Sequence, residues 1–151
     1  MKYIITDERL LNTDLDPQAM TPSSLGANSV DLRACIDKRV IIMPGNQVSI
    51  PTGIKVALPE NTIGMLLPRS GLGTKKGLVL GNLVGNIDPD YRGEILICLW
   101  NRSNKGHIIK PLTRIGQLVV TPVLNPNQWE LVEDLDTTER GEEGFGSTGE
   151  S

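Results

Sequence analysis

The chain is poor in the residues on which many sites are built. Its 151 residues include one phenylalanine, one histidine, two cysteines, two tyrosines and two tryptophans. A single imidazole, His107, excludes most histidine-based metal centres and leaves one candidate imidazole base. Cys35 and Cys98 lie far apart with no CxxC spacing, which argues against a disulfide or zinc framework. No run approaches the ~20 apolar residues that span a bilayer. The opening "MKYIITDERLL" places acids where a secretory signal needs its apolar stretch. The expectation is a soluble, cytoplasmic, single-domain protein.

Charge is uneven. Residues 133–151 hold seven acids against Arg140, a net of −6 within an overall −3, so the rest of the chain carries +3. A mildly basic body with an acidic tail does not suit a general nucleic-acid binder, which shows a clustered basic face. A small anionic ligand held by a few placed cations fits better.

What is present is short β-like runs at the spacing of an all-β barrel or sandwich. Sixteen glycines and ten prolines punctuate these runs without forming one linker. "RVIIMPGNQVSI" reads as strand, turn at Pro44-Gly45, strand. "GIKVAL" alternates Ile54, Val56 and Leu58 against Lys55 and Ala57, as a half-buried strand does. "EILICLW" and "RIGQLVVTPVL" are continuous apolar runs, predicted to be buried on both faces. The best helical piece is a short one after Ser70, whose hydroxyl is expected to cap "GLGTKK". The fold class is therefore all-β, a jelly-roll-like distorted barrel with one short helix. The domain is placed at residues 1–132, with a flexible C-terminal arm over 133–151.

Four segments carry more polar and glycine residues than a β core requires. "SVDLRA" puts Asp31 inside an apolar pattern, where it serves a neighbouring turn or a site. "LLPRSGLGTKKGL" offers Arg69, Ser70 and Gly71, a guanidinium, a hydroxyl and backbone donors suited to phosphate; an ordinary capped turn is the plain alternative. "LGNLVGNIDPDYRGE" is the densest. Its two Gly-Asn dipeptides suggest a β-hairpin opened to read the edge of a flat heterocycle, and Pro89 stiffens the backbone at Asp88, a candidate general base. A tight turn of its usual residues is the alternative there. Gln117, in "LTRIGQLVV", is an amide in an apolar strand and needs partners, structural or ligand.

The tail "RGEEGFGSTG" approaches the P-loop pattern but has Ser147 where lysine belongs, and no strand and helix flank it. It remains a glycine-rich run of backbone donors with two hydroxyls.

Taken in order, "SVDLRA", "PRSGLGTKKGL", "GNLVGNIDPDYRGE", "RIGQL" and "RGEEGFGSTG" resemble the five motifs of the trimeric dUTP pyrophosphatases (dUTPases), spread over residues 29–149. The resemblance implies a jelly-roll-like subunit in a homotrimer with active sites at subunit junctions. It implies hydrolysis of dUTP to dUMP and pyrophosphate with Mg²⁺ on the triphosphate, controlling dUTP and supplying dUMP for thymidylate synthesis. By position, Asp88 activates the water that attacks the α-phosphorus. Asn82, Asn86 and Ile87 read uracil, Leu96 closes the pocket, and Tyr91 packs on the deoxyribose. Arg69, Ser70, Gly71 and Gln117 hold phosphates, and Asp31 organises the metal through water. The resemblance places Arg140, Gly146, Ser147 and Thr148 on the phosphates and Phe145 over the uracil, in an arm that orders on the nucleotide. It implies neither a nucleic-acid nor a membrane partner.

Three positions depart from the usual pattern of that family. Asn28-Ser29 stands for Ala-Gly, Pro89 follows Asp88 at a variable position, and Gly116 replaces an alanine. Two rival readings are a nucleotide-sensing regulator with a protein partner and a dCTP deaminase of the same fold. The deaminase chemistry needs a glutamate about ten residues past Asp88, where Cys98 stands. Cys98, His107, Trp100 and Trp129 receive no catalytic role.

Overall fold

The computed structural model describes residues 1–142. The apolar runs become ten strands and one short helix. In chain order these are β1 (Lys2–Ile5), β2 (Val30–Arg33), β3 (Val40–Ile42), β4 (Gln47–Ala57), β5 (Thr62–Leu67), α1 (Ser70–Lys76), β6 (Leu78–Leu80), β7 (Gly85–Ile87), β8 (Glu94–Asn101), β9 (His107–Ile109) and β10 (Arg114–Pro122). Two four-stranded antiparallel sheets, ordered β1-β4-β8-β6 and β2-β10-β5-β7, are joined by the small pair β3-β9. This is the expected jelly-roll-like all-β architecture.

The core is aliphatic, as a chain with so few aromatics requires. Ile50, Ile54, Ile95, Ile97, Leu99, Ile115 and Leu118 are almost completely buried between the sheets. Alternation in "GIKVAL" survives as predicted: Ile54, Val56 and Leu58 are buried, with Lys55 and Ala57 only partly so. β4 runs eleven residues, longer than either sequence run suggests. It absorbs a register irregularity between Pro51 and Lys55. There Gly53 adopts φ +67°, and a Cβ would meet Asp7, Cys35 and Leu10 within 3 Å.

Two expectations are corrected. β8 and β10 are buried on one face only: Ile95, Ile97 and Leu99 point inward, whereas Leu96 is 53% exposed. A continuous apolar run reads as doubly buried, but among the described residues no second layer covers the outer face of these strands. The second correction concerns the dipeptides Gly81-Asn82 and Gly85-Asn86. They do not open a β-hairpin, because β6 pairs with β8 while β7 pairs with β5. The segment crosses from one sheet to the other, with Leu83 at φ +62°.

Cys35 is buried, and that burial pushes its thiol up to about 12. Cys98 is half-buried, with Sγ 3.6 Å from Gln47 Oε1. Among the described residues, no helix is long and apolar enough to cross a membrane. The last regular element among the described residues is a 3-10 turn at Pro126–Gln128, and residues 129–142 are exposed.

Candidate active site

Two crevices collect the residues singled out from the sequence. The first, about 310 Å³, lies where β2, β10 and the start of α1 meet. Asp31, Arg69, Ser70, Gly71, Arg114 and Gln117 line it, with Ser23 and Ser29 at its edge. Register explains the convergence: in the antiparallel ladders Gln117 stands opposite both Asp31 and Leu67, two residues before Arg69.

Asp31 is the electrostatic centre of this crevice. Its side chain is only 11% exposed, and each carboxylate oxygen meets a guanidinium. Arg69 Nε donates to Oδ1 at 2.7 Å and Arg114 Nη1 to Oδ2 at 3.1 Å. The pair balances one carboxylate against two cations and leaves a net positive crevice. Gln117 donates from Nε2 to the Pro68 carbonyl at 3.3 Å and accepts at Oε1 from the Ser29 hydroxyl at 3.2 Å. The amide in an apolar strand thus has structural partners and still faces the crevice.

Ser70 does not cap α1, contrary to expectation. Arg69 is the N-cap residue and supplies no side-chain bond, and its carbonyl accepts from the Leu72 and Gly73 amides. Ser70 starts the helix instead, and its hydroxyl lines the crevice. The helix ends at Gly77 with φ +66°, a left-handed C-cap.

The second crevice, about 250 Å³, is lined by Leu66, Asn82, Asn86, Ile87, Asp88 and Leu96, with Tyr91 and Glu94 beside them. β7 is the terminal strand of its sheet, so one edge of its backbone has no neighbouring strand among the described residues. That open edge replaces the expected hairpin as the source of donors and acceptors beside Asn86 and Ile87. Gly85 is tightly surrounded: a Cβ would lie 3.0 Å from Leu66 Cδ1 and 3.1 Å from Asn82 Nδ2.

Asp88 is exposed at the first position of a turn, its carbonyl accepting from the Tyr91 amide at 3.1 Å. Pro89 occupies the second position, which its fixed φ suits. Arg92 Nη1 closes the loop by donating to the carbonyls of Pro89 and Tyr91. The Tyr91 hydroxyl donates to the Glu94 carbonyl at 2.9 Å, and Glu94 Oε1 accepts from the Gly53 amide at 2.7 Å. The phenol crosses Gly93 so closely that a Cβ there would overlap it.

The structure does not bring the two crevices together within one chain. Ile87 pairs with Gly64, which sets Asp88 beside Ile63. Six residues, roughly 20 Å of extended chain, separate that level from Arg69. Phe145, Gly146, Ser147 and Thr148 lie outside the described residues; Arg140 lies within them, on the exposed approach to the tail. Among the described residues, no three histidine, cysteine or acidic side chains cluster as a metal cage.

Sequence reading missed Arg114, Ser29 and Glu94. Arg114 had a visible signal, a cation opening the apolar run "RIGQL". Ser29 showed only as a departure from the usual family pattern and Glu94 not at all, because their partners lie 88 and 41 positions away.

Residues 16–149 match the family model described as dUTPase. The deoxyuridine 5'-triphosphate nucleotidohydrolase of Tolumonas auensis is 47% identical over 146 residues, covering 96% of this chain and 94% of that one. The protein of the same name from Nitrosomonas eutropha is 50% identical over 137 residues, covering 90% and 89%. The solved Staphylococcus bacteriophage 80alpha dUTPase G164S mutant with dUpNHpp superposes with a TM-score of 0.76. It is 25% identical and covers 98% of this chain and 97% of that one.

Proposed function

Because the chain belongs to the dUTPase family, we infer that it hydrolyses dUTP to dUMP and pyrophosphate. It is a dUTP diphosphatase, and the observation that carries its mechanism is the separation of chemistry into two crevices. One is cationic and hydroxyl-bearing, as a triphosphate requires. The other offers an open strand edge, an apolar wall and a carboxylate, as a pyrimidine nucleoside and an attacking water require.

Arg69 and Arg114 face charge that develops on the phosphates. Asp31 fixes both guanidinium groups, so little reorganisation is needed at reaction. The guanidinium of Arg69 engages Asp31 through Nε, which leaves its terminal nitrogens for phosphate oxygens. Ser70, Gly71 and Gln117 add neutral donors. Asp88 takes the proton of a water directed at the α-phosphorus. The rigid turn at Pro89 keeps the carboxylate from following the substrate, so its aim is set before binding. No nucleophilic side chain is required.

Uracil lies against the open edge of β7, read by Asn82 and by the backbone at Asn86 and Ile87, with Leu96 as the wall. The Tyr91 ring, held through Glu94, packs on the deoxyribose where a 2′-hydroxyl would clash. Arg140, Gly146, Ser147 and Thr148 close on the phosphates and Phe145 on the base. The arm over residues 133–151 closes as a lid on the 1–132 domain.

The described residues suit Mg²⁺ that arrives on the triphosphate. Both oxygens of Asp31 are engaged by arginines and no protein cage forms, so Asp31 would meet the ion through water. When bound, Mg²⁺ supplies charge neutralisation along the phosphate chain.

That Arg69 and Asp88 line different crevices of one chain favours a site shared between subunits, and the apolar outer faces of β8 and β10 suit a homotrimer. Light scattering on active enzyme tests this; a monomer mass would sink the shared site. The deaminase alternative loses support, since Cys98 is outside the second crevice.

The decisive experiment compares pyrophosphate release from dUTP, dCTP, dTTP and UTP with Mg²⁺ present. dUTP alone is expected to turn over well. Comparable release from all four would refute base reading at β7, and ammonia release from dCTP would restore the deaminase.

A further inference from the structure

We propose that Ser29 is a positioning residue: its hydroxyl tethers the Gln117 amide, in the orientation that the Pro68 carbonyl sets, with one N–H left for substrate phosphate. The inference rests on the dUTP reading of the crevice. Ser29 immediately precedes β2, and the pairing of Leu118 with Val30 and Gln117 with Asp31 brings it diagonally next to Gln117.

A glutamine amide has one acceptor oxygen and two N–H donors, and can sit either way round. At Gln117 the surroundings decide. On one side the Pro68 carbonyl, acceptor only, lies 3.3 Å from Nε2. On the other the Ser29 hydroxyl lies 3.2 Å from Oε1 and donates to it. Turning the amide over would set its oxygen against the Pro68 carbonyl, two acceptors with no proton between them. The Ser29 hydroxyl, which can donate or accept, adds a second tether by bonding the oxygen in the orientation that Pro68 selects. One Nε2 hydrogen is then committed to Pro68, and the second is the only donor of that amide left for a ligand.

Both residues line the crevice that holds Asp31, Arg69 and Arg114. Both are partly buried, so a lost partner is not fully replaced by bulk water. Without the hydroxyl, Gln117 samples more orientations, and binding must first select one of them. Because the phosphate contact exists in both substrate and transition state, the loss falls mainly on KM.

The test is Ser29→Ala, with Ser29→Gly as a second variant lacking the hydroxyl, each made alone and in a Gln117→Ala background. Steady-state hydrolysis of Mg-dUTP is measured, with melting temperature as a folding control. The net worth of one hydrogen bond predicts a rise in KM of about five-fold for Ser29→Ala. In the Gln117→Ala background the same change should add less than about two-fold, since coupled residues are not additive. An unchanged KM in the single variant would overturn the proposal. So would a full five-fold effect without Gln117, which would mean that Ser29 contacts the substrate itself. If the unaltered enzyme releases no pyrophosphate from dUTP, the underlying reading fails instead, a distinguishable outcome.

Discussion

Arg69 Nε reaches across 38 positions of sequence to donate to Asp31 Oδ1 at 2.7 Å, and Arg114 holds the other oxygen of the same carboxylate. One acid therefore spaces two cations that would otherwise repel each other. Asp31→Ala is expected to destabilise the fold by about 1–3 kcal/mol and to raise KM for dUTP, as the guanidinium groups move apart. Denaturant midpoints and initial rates check the two effects. Full stability with normal KM would mean that the ion pairs are incidental.

Asp88 is exposed, aimed by a turn and uninvolved in the core. Asp88→Asn should lower kcat by about 10²–10⁴-fold without changing the melting temperature. Binding of dUpNHpp, followed by calorimetry, should survive. Retained turnover would show that another group activates the water.

Gly116 replaces an alanine usual in the family, and the structure gives a reason. A Cβ at this position would lie 2.5 Å from Ile97 Cδ1, so the end of that buried side chain would have to shift to admit it. Gly116→Ala should cost about 1–3 kcal/mol by overpacking. Adding Ile97→Val removes the offending methyl group and should recover part of that loss in urea unfolding. An alanine variant as stable as the parent would show that the core adjusts freely.

Truncation after Leu135 should leave a folded core, since among the described residues no strand extends beyond Pro122. Activity on dUTP should fall sharply, with the far-ultraviolet dichroism preserved. A truncated protein with full activity would refute the lid.

Acid stability should show the mark of Asp7. The Arg9 guanidinium, bonded to it, holds the Asp7 carboxyl at about 2 against an ordinary 3.8. The folded state therefore binds fewer protons than the unfolded chain in that interval. The stabilisation is fully present above about pH 4 and is lost as pH falls toward 2. In Asp7→Asn the slope of unfolding free energy against pH should flatten between those values.

Much of this was legible in the amino-acid order. Period-two alternation at Ile54, Val56 and Leu58, with turns marked by glycine and proline, determined an all-β chain, because one-sided burial imposes that period. The motif segments determined the family, and the resemblance they carry put forward Asp88, Arg69 and Gln117 for the proposed site. Tertiary structure alone decided the partners. That β6 and β7 join different sheets, that Arg114 shares Asp31 with Arg69, and that Ser29 tethers Gln117 all follow from pairings between strands far apart in sequence. The one-sided burial of β8 was likewise undecidable from its composition, since an apolar run does not record what covers it. Local sequence fixes the period and the turns, whereas strand register, a property of the whole sheet, brings a carboxylate, two guanidinium groups and an amide to one crevice.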